Sequence, residues 1–224
     1  KGIRRVSAQN IEAVQAVAER IFDELLAVQA DLPPGERCPV RTTEEDERFE
    51  ELKQSILRVF GFMEHLPERF CVEGEEVALS DEDGLSYAGA VLRGSVDRID
   101  IDPDGAYAVL DYKGSVGDHE AGRGGEGEVI LPRKIQALIY AKALKGLPRF
   151  ADMACVGAIY LSYRAGSEKK AVAGSFDALH YDVSKLTDNE SSVVEGNFDA
   201  FLQSVEDLVA PYVARLQAGD IAPD

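Results

Sequence analysis

Two aspartates and a lysine carry the chemistry that can be read first: Asp97 in Gly94-Ser95-Val96-Asp97-Arg98-Ile99-Asp100, and Asp111 with Lys113 in Val109-Leu110-Asp111-Tyr112-Lys113-Gly114. Side chains alternate along a strand, so Asp111 and Lys113 face one way and Tyr112 the other. Between the two runs lies Asp102-Pro103-Asp104-Gly105, a turn signal that makes them a β-hairpin. Asp97 and Asp111 are equidistant from Asp104, so a three-residue loop sets them opposite each other on neighbouring strands; a bulge at Gly105 would move the pairing by one residue. Like charges directly opposed on a sheet destabilise it. Two carboxylates so placed need a shared proton or a cation between them, and hard oxygen donors beside a lysine suit Mg²⁺ or Mn²⁺. The lysine then has two uses: to orient or activate an attacking water, or to stabilise negative charge building up on a phosphate. The competing reading makes Asp97-Arg98 and Asp111-Lys113 surface charges of an exposed hairpin, which contribute little. It loses ground because Asp97 adjoins Val96 near Ile99, and Asp111 follows the apolar run Ala108-Val109-Leu110, which points to a partly buried strand end.

The elements that hold this hairpin follow from periodicity. Ile11, Val14, Ala18, Ile21 and Leu25 describe one apolar stripe on a helix running from Gln9 to about Ala30, stopped by DLPPGERCPV. Thr43 with Asp46 three residues on is a weak start for a second helix carrying Phe49, Leu52, Ile56 and Val59. Extended segments are expected near 69–78, 87–102 and 106–113, then a glycine-rich mobile loop over 114–128. A helix is expected from Pro132, suited to a first helical position, to about Lys145, with strands near 153–164 and 178–183. A long helix from about Val193 to Leu216 closes the chain, with Val194, Phe198, Phe201, Val205, Leu208 and Tyr212 on one stripe. No internal repeat or linker divides the chain, and one α/β domain is the simplest architecture.

The chain has 224 residues, 45% of them hydrophobic and 29% charged, and no apolar run reaches the roughly 20 residues of a membrane span. No membrane partner is expected. Cys38, Cys71 and Cys155 are odd in number and far apart, which fits a reducing, cytoplasmic setting and argues against a disulfide framework. Lys plus Arg number 24 against 41 Asp plus Glu, a formal charge of −17 that taken alone speaks against binding nucleic acid. Gly122-Arg123-Gly124-Gly125 does not follow a strand-to-helix pattern and reads as loop rather than phosphate cradle, and His119 between Asp118 and Glu120 reads as a solvated charge run.

GSVDRID, a short turn, VLDYKG, a glycine-rich loop and PRKIQALIYAKAL together resemble the PD-(D/E)XK nuclease superfamily, and within it the C-terminal nuclease domain of AddB- and RecB-type helicase–nuclease subunits. The resemblance covers about 68–145 in motif detail and the remainder only in helix order. It implies a restriction-endonuclease-like α/β core, with a central mixed sheet and flanking helices. It also implies Mg²⁺- or Mn²⁺-dependent hydrolysis of DNA, exonucleolytic and in double-strand break repair and recombination, beside a helicase–nuclease partner subunit. Residue by residue, it makes Asp97 and Asp111 metal ligands together with the Tyr112 backbone carbonyl, and Lys113 the catalytic lysine. It makes Gln136, Tyr140 and Arg133 substrate-binding residues: Gln136 and Tyr140 correspond to the family's glutamine–tyrosine helix motif and, four residues apart, share a helix face, and Arg133 lies on the same side, placed to meet a phosphate. A core aromatic is the alternative for Tyr140.

Two features depart from the family pattern. Neither N-terminal helix contains the upstream histidine ligand: His65 follows the second helix, His119 is in the loop and His180 is late in the chain. The three cysteines cannot supply the spacing of an iron–sulfur cluster, although residues 215–224 resemble the segment before the cysteine trio of such proteins. The expectation is therefore a single nuclease domain over 1–224 belonging to a larger protein, in which alone an iron–sulfur cluster would be found. Its parts are a helical 1–66, a sheet and active-site hairpin over 67–183, and a C-terminal helix over 184–224. The rival expectation is an inactive nuclease-like module serving assembly or strand guidance. An acidic DNA mimic would account for the charge but not for the Asp-Tyr-Lys hairpin.

Overall fold

A computed structural model describes residues 5–31, 33, 42–63, 66–116, 122–123, 129–130, 134–164, 171–186 and 193–220. The apolar stripes of the first two segments become α1 (Ile11–Asp31) and α2 (Thr43–Met63), which pack on each other, with Phe22 edge-on to Phe49. The α2 start is capped one residue earlier than the sequence pattern places it. Thr42 Oγ1 accepts from Glu45 N–H at 3.3 Å while the Glu45 carboxylate accepts from Thr42 N–H at 2.7 Å, a reciprocal box in place of Thr43 and Asp46.

The sheet is built from β1 (Cys71–Leu79), β4 (Gly94–Asp102), β5 (Ala106–Lys113), β8 (Ala154–Ser162), β9 (Val172–Asp177) and β10 (Val193–Val194), in that spatial order. Pairing is antiparallel across β1, β4 and β5, parallel between β5 and β8, antiparallel between β8 and β9, and parallel between β9 and β10. This is the mixed central sheet with flanking helices that the resemblance implies. The turn between β4 and β5 is the three-residue loop Pro103-Asp104-Gly105, closing Asp102 onto Ala106 without a bulge. Gly105 sits at φ 95°, a conformation only glycine adopts without strain, and donates its N–H to Asp102 O at 3.0 Å.

Alternation along the strands splits the core in two. Tyr107, Val109, Ala158 and Tyr160 pack toward α3 (Gln136–Ala143) and α5 (Phe198–Gln217), while Ala106, Ala108, Leu110, Ile159 and Leu161 pack with Val59, Phe62 and Met63 of α2. Each side therefore has its own apolar layer, and the hairpin lies between them.

Several boundaries differ from the sequence expectation, each for a local reason. The segment 87–102 is interrupted: β2 (Ser86–Tyr87) and β3 (Ala90–Val91) form a small hairpin before β4 begins. Within 114–128, β6 (Gly122–Arg123) pairs with β7 (Val129–Ile130), so part of the expected loop is a short antiparallel ribbon; Gly124 and Gly125 lie outside the described residues, as does His119. The expected strand over 178–183 is instead β9, at 172–177, followed by a turn and the single-turn α4 (Val183–Leu186). Val194 belongs to β10 and not to the last helix, because Gly196 (φ 89°) reverses the chain and Asn197 caps α5, accepting from Ala200 N–H at 3.1 Å. Among the described residues no helix is long and apolar enough to cross a membrane. Cys71 and Cys155 are free thiols.

Candidate active site

β4 and β5 pair from Asp102↔Ala106 to Arg98↔Leu110. One further step in this register sets Asp97 opposite Asp111. There the backbone ladder stops, and the Asp97 carboxylate itself accepts the Tyr112 N–H at 2.8 Å. Gly94, Ser95 and Val96 continue along β1, opposite Leu79, Ala78 and Val77, while Asp111, Tyr112 and Lys113 continue along β8, opposite Tyr160, Leu161 and Ser162. The sheet thus forks, with an aspartate on each prong.

Asp111 is 1% exposed, and its Oδ1 has no hydrogen-bond partner. Lys113 Nζ lies 2.5 Å from Asp111 Oδ2, an ion pair. Burial pushes the Asp111 carboxyl above the ordinary aspartate range; Lys113 pulls it back and the Asp97 charge raises it again, leaving it net elevated. The Lys113 side chain is 30% exposed, so the fork opens to solvent on that side.

From Lys113 a chain of polar contacts runs through α3. Lys113 Nζ donates to Gln136 Oε1 at 3.0 Å, and Gln136 Nε2 donates to Tyr140 Oη at 3.3 Å. Tyr140 is buried in the α3-side core with its oxygen directly over Gly94, where any Cβ would collide with it. The structure therefore brings Asp97, Asp111, Lys113, Gln136 and Tyr140 into one connected arrangement. Tyr140 fills the core position that the alternative reading gives it, and joins the group through Gln136. Arg133 lies outside the described residues, as do Pro132, Cys38, His65 and His119.

Two buried residues beside the site are ones the sequence does not single out. Tyr160, beside Asp111 on the neighbouring strand, accepts the Ala137 N–H at 2.9 Å and donates to Lys134 O at 3.3 Å. It thereby satisfies an orphan donor of the first turn of α3 and fixes where Gln136 stands; burial, with the Asp111 charge, raises its phenol. This long-range cap fits a helix that begins at Gln136, with Lys134 and Ile135 outside it. Arg98 is the other. It is 6% exposed and locked into Asp100, which removes the reading of Asp97-Arg98 as surface charges.

A divalent cation fits the donor set on chemical grounds. Asp111 Oδ1 has no hydrogen-bond partner, the Asp97 charge lies close enough to raise the Asp111 carboxyl, and both are hard ligands of the kind Mg²⁺ and Mn²⁺ take. No cluster of three or more His, Cys, Asp or Glu side chains suited to a metal occurs among the described residues.

A mixed sheet of this order, forked at two aspartates with a lysine two residues beyond the second, defines a restriction-endonuclease-like fold. A family model described as the PD-(D/E)XK nuclease superfamily matches residues 3–224, and the chain belongs to that superfamily. No curated protein and no solved structure matches the chain.

Proposed function

We propose that this protein is a metal-dependent deoxyribonuclease acting through Asp97, Asp111 and Lys113, an exonuclease of the RecB and AddB type working in double-strand break repair. The observation that carries the reading is Asp111, a buried carboxylate paired with Lys113 and set beside a second carboxylate, Asp97, at the open fork of the sheet. Asp97, Asp111 and the Tyr112 carbonyl would hold Mg²⁺ or Mn²⁺, which when bound supplies Lewis-acid stabilisation of charge on the scissile phosphate. Lys113 orients the attacking water or stabilises the phosphate charge, and Gln136 holds its ammonium in place. Arg133 would take a neighbouring phosphate. With a charge of −17, affinity for DNA comes mainly from the cation and from a partner subunit.

The test is cleavage of linear and covalently closed duplex DNA with Mg²⁺ or Mn²⁺. Linear DNA should be degraded from its ends and closed circles spared, and Asp111→Ala and Lys113→Ala should abolish cleavage while remaining folded. Cleavage unchanged in either variant refutes the assignment, and equal attack on closed circles refutes the exonuclease.

The second reading, an inactive module serving assembly or strand guidance, draws on the lack of a three-ligand cluster among the described residues. Calorimetry separates the two: an active centre gives Mn²⁺ binding that Asp111→Ala removes, and an inactive one gives none.

A further inference from the structure

On the sheet face turned away from Lys113, Arg98 is one of the few buried charges among the described residues. Its guanidinium grips Asp100 twice, Nε to Oδ1 at 2.6 Å and Nη2 to Oδ2 at 2.7 Å. The remaining nitrogen, Nη1, donates to Tyr112 Oη at 3.3 Å and to Met63 Sδ at 3.2 Å. A buried ion pair contributes little net stability relative to apolar residues of the same volume, so stability alone does not account for it. Its position does. Arg98↔Leu110 is the last ladder pair before the fork. Beyond it Tyr112 is held from both faces of the sheet: its N–H by the Asp97 carboxylate, and its phenol by the guanidinium of the very next residue, Arg98.

We propose that Arg98, braced by Asp100, is a positioning residue that fixes the separation of Asp97 and Asp111 through the phenol of Tyr112. The inference deepens the nuclease reading and rests on it for its functional meaning: with the phenol released, Tyr112 moves off Asp97 and the carboxylate pair loses its spacing. The residue between the two active-site residues of β5 is then a mechanical part of the site, although its side chain points away from it.

Tyr112→Phe tests this, since it removes one oxygen and keeps the ring in the α2-side layer. Site-resolved amide hydrogen exchange on the metal-free chain should show residue 112 exchanging about tenfold faster, with protection at Val109 and Ile159 kept. Mn²⁺ affinity by calorimetry should fall about tenfold, the size typical of losing a group that orients a metal ligand. Arg98→Lys, which keeps the charge and loses the fork, should do the same. Unchanged exchange at residue 112 in Tyr112→Phe overturns the proposal, as does an amide there that already exchanges freely in the unsubstituted protein, or a uniform loss of protection that includes Val109 and Ile159. The nuclease reading is judged separately, by whether Asp111→Ala abolishes the Mn²⁺ heat; the exchange measurement decides the brace in either case.

Discussion

Replacing Asp111 with alanine should make the metal-free protein more stable. Taking a carboxylate out of water costs several kcal/mol, about 3–4 here, because Asp111 is buried with Lys113 as its nearest cation. The Lys113 contact returns about 1 kcal/mol or less, because that lysine is partly solvated. The space left by the carboxylate costs on the order of 1 kcal/mol. The balance is a gain of about 1–2 kcal/mol, or about 3–6 °C in Tm for a chain of this size. The pH dependence has a definite sign. The folded-state pKa of Asp111 is raised, so the folded chain keeps a proton that the unfolded chain releases. Stability of the unsubstituted protein therefore falls as pH rises from the ordinary aspartate value of about 3.9 through the raised one, and the advantage of Asp111→Ala develops over that interval. Mn²⁺ at a hundred times its Kd adds about 2.7 kcal/mol to the unsubstituted protein and nothing to the variant, which reverses the order. Thermal denaturation with and without Mn²⁺, between pH 4 and 8, reads all of this. A metal-free Asp111→Ala that melts lower at pH 7 refutes the argument from carboxylate burial, and an equal Mn²⁺ shift in both proteins refutes the cation.

Gln136→Ala removes the acceptor that holds the Lys113 ammonium and should lower kcat about tenfold to a hundredfold with KM nearly unchanged; a change confined to KM in steady-state cleavage would place Gln136 on the substrate instead. Gly94→Ala drives a Cβ into Tyr140 Oη and should destabilise by about 1–3 kcal/mol, with most of the loss recovered by adding Tyr140→Phe; failure of the double variant to recover in denaturant melts would show that the collision is not with that oxygen. Gly105→Ala, at φ 95°, should cost about 1–2 kcal/mol while leaving metal-dependent cleavage intact at low temperature, which activity and Tm measured side by side will check.

The hairpin was legible because its determinants are local. Pro103-Asp104-Gly105 fixes the loop, the loop fixes the register, and the register carries Asp97 to Asp111. The apolar stripes of α1, α2 and α5 were legible for the same reason, since each recurs at helical spacing within its own segment. What escaped depends on partners far along the chain. The start of α3 is set by the Tyr160 phenol, and β10 exists because Val193 and Val194 find Phe176 and Asp177, so neither is written in its own neighbourhood. Arg98 escaped because an Asp-Arg-Ile-Asp run reads as ordinary surface charge until Tyr112 and Met63 are seen closing over it.

The parallel seam between β5 and β8 bears on how this protein folds. Contacts between β4 and β5 close across three residues, whereas β8 reaches β5 only after α3 has been traversed, and loop closure over that distance is slower. On this order the two aspartates would meet early, on a solvated hairpin where their repulsion is screened, and Asp111 would lose its water only when Tyr160 docks beside it. Conservative substitutions at Ile99 and Val109 should accordingly slow folding, while those at Val156 and Leu161 should mainly speed unfolding. Stopped-flow kinetics with the opposite pattern would show that the sheet nucleates at its parallel seam, with the acidic pair assembled last.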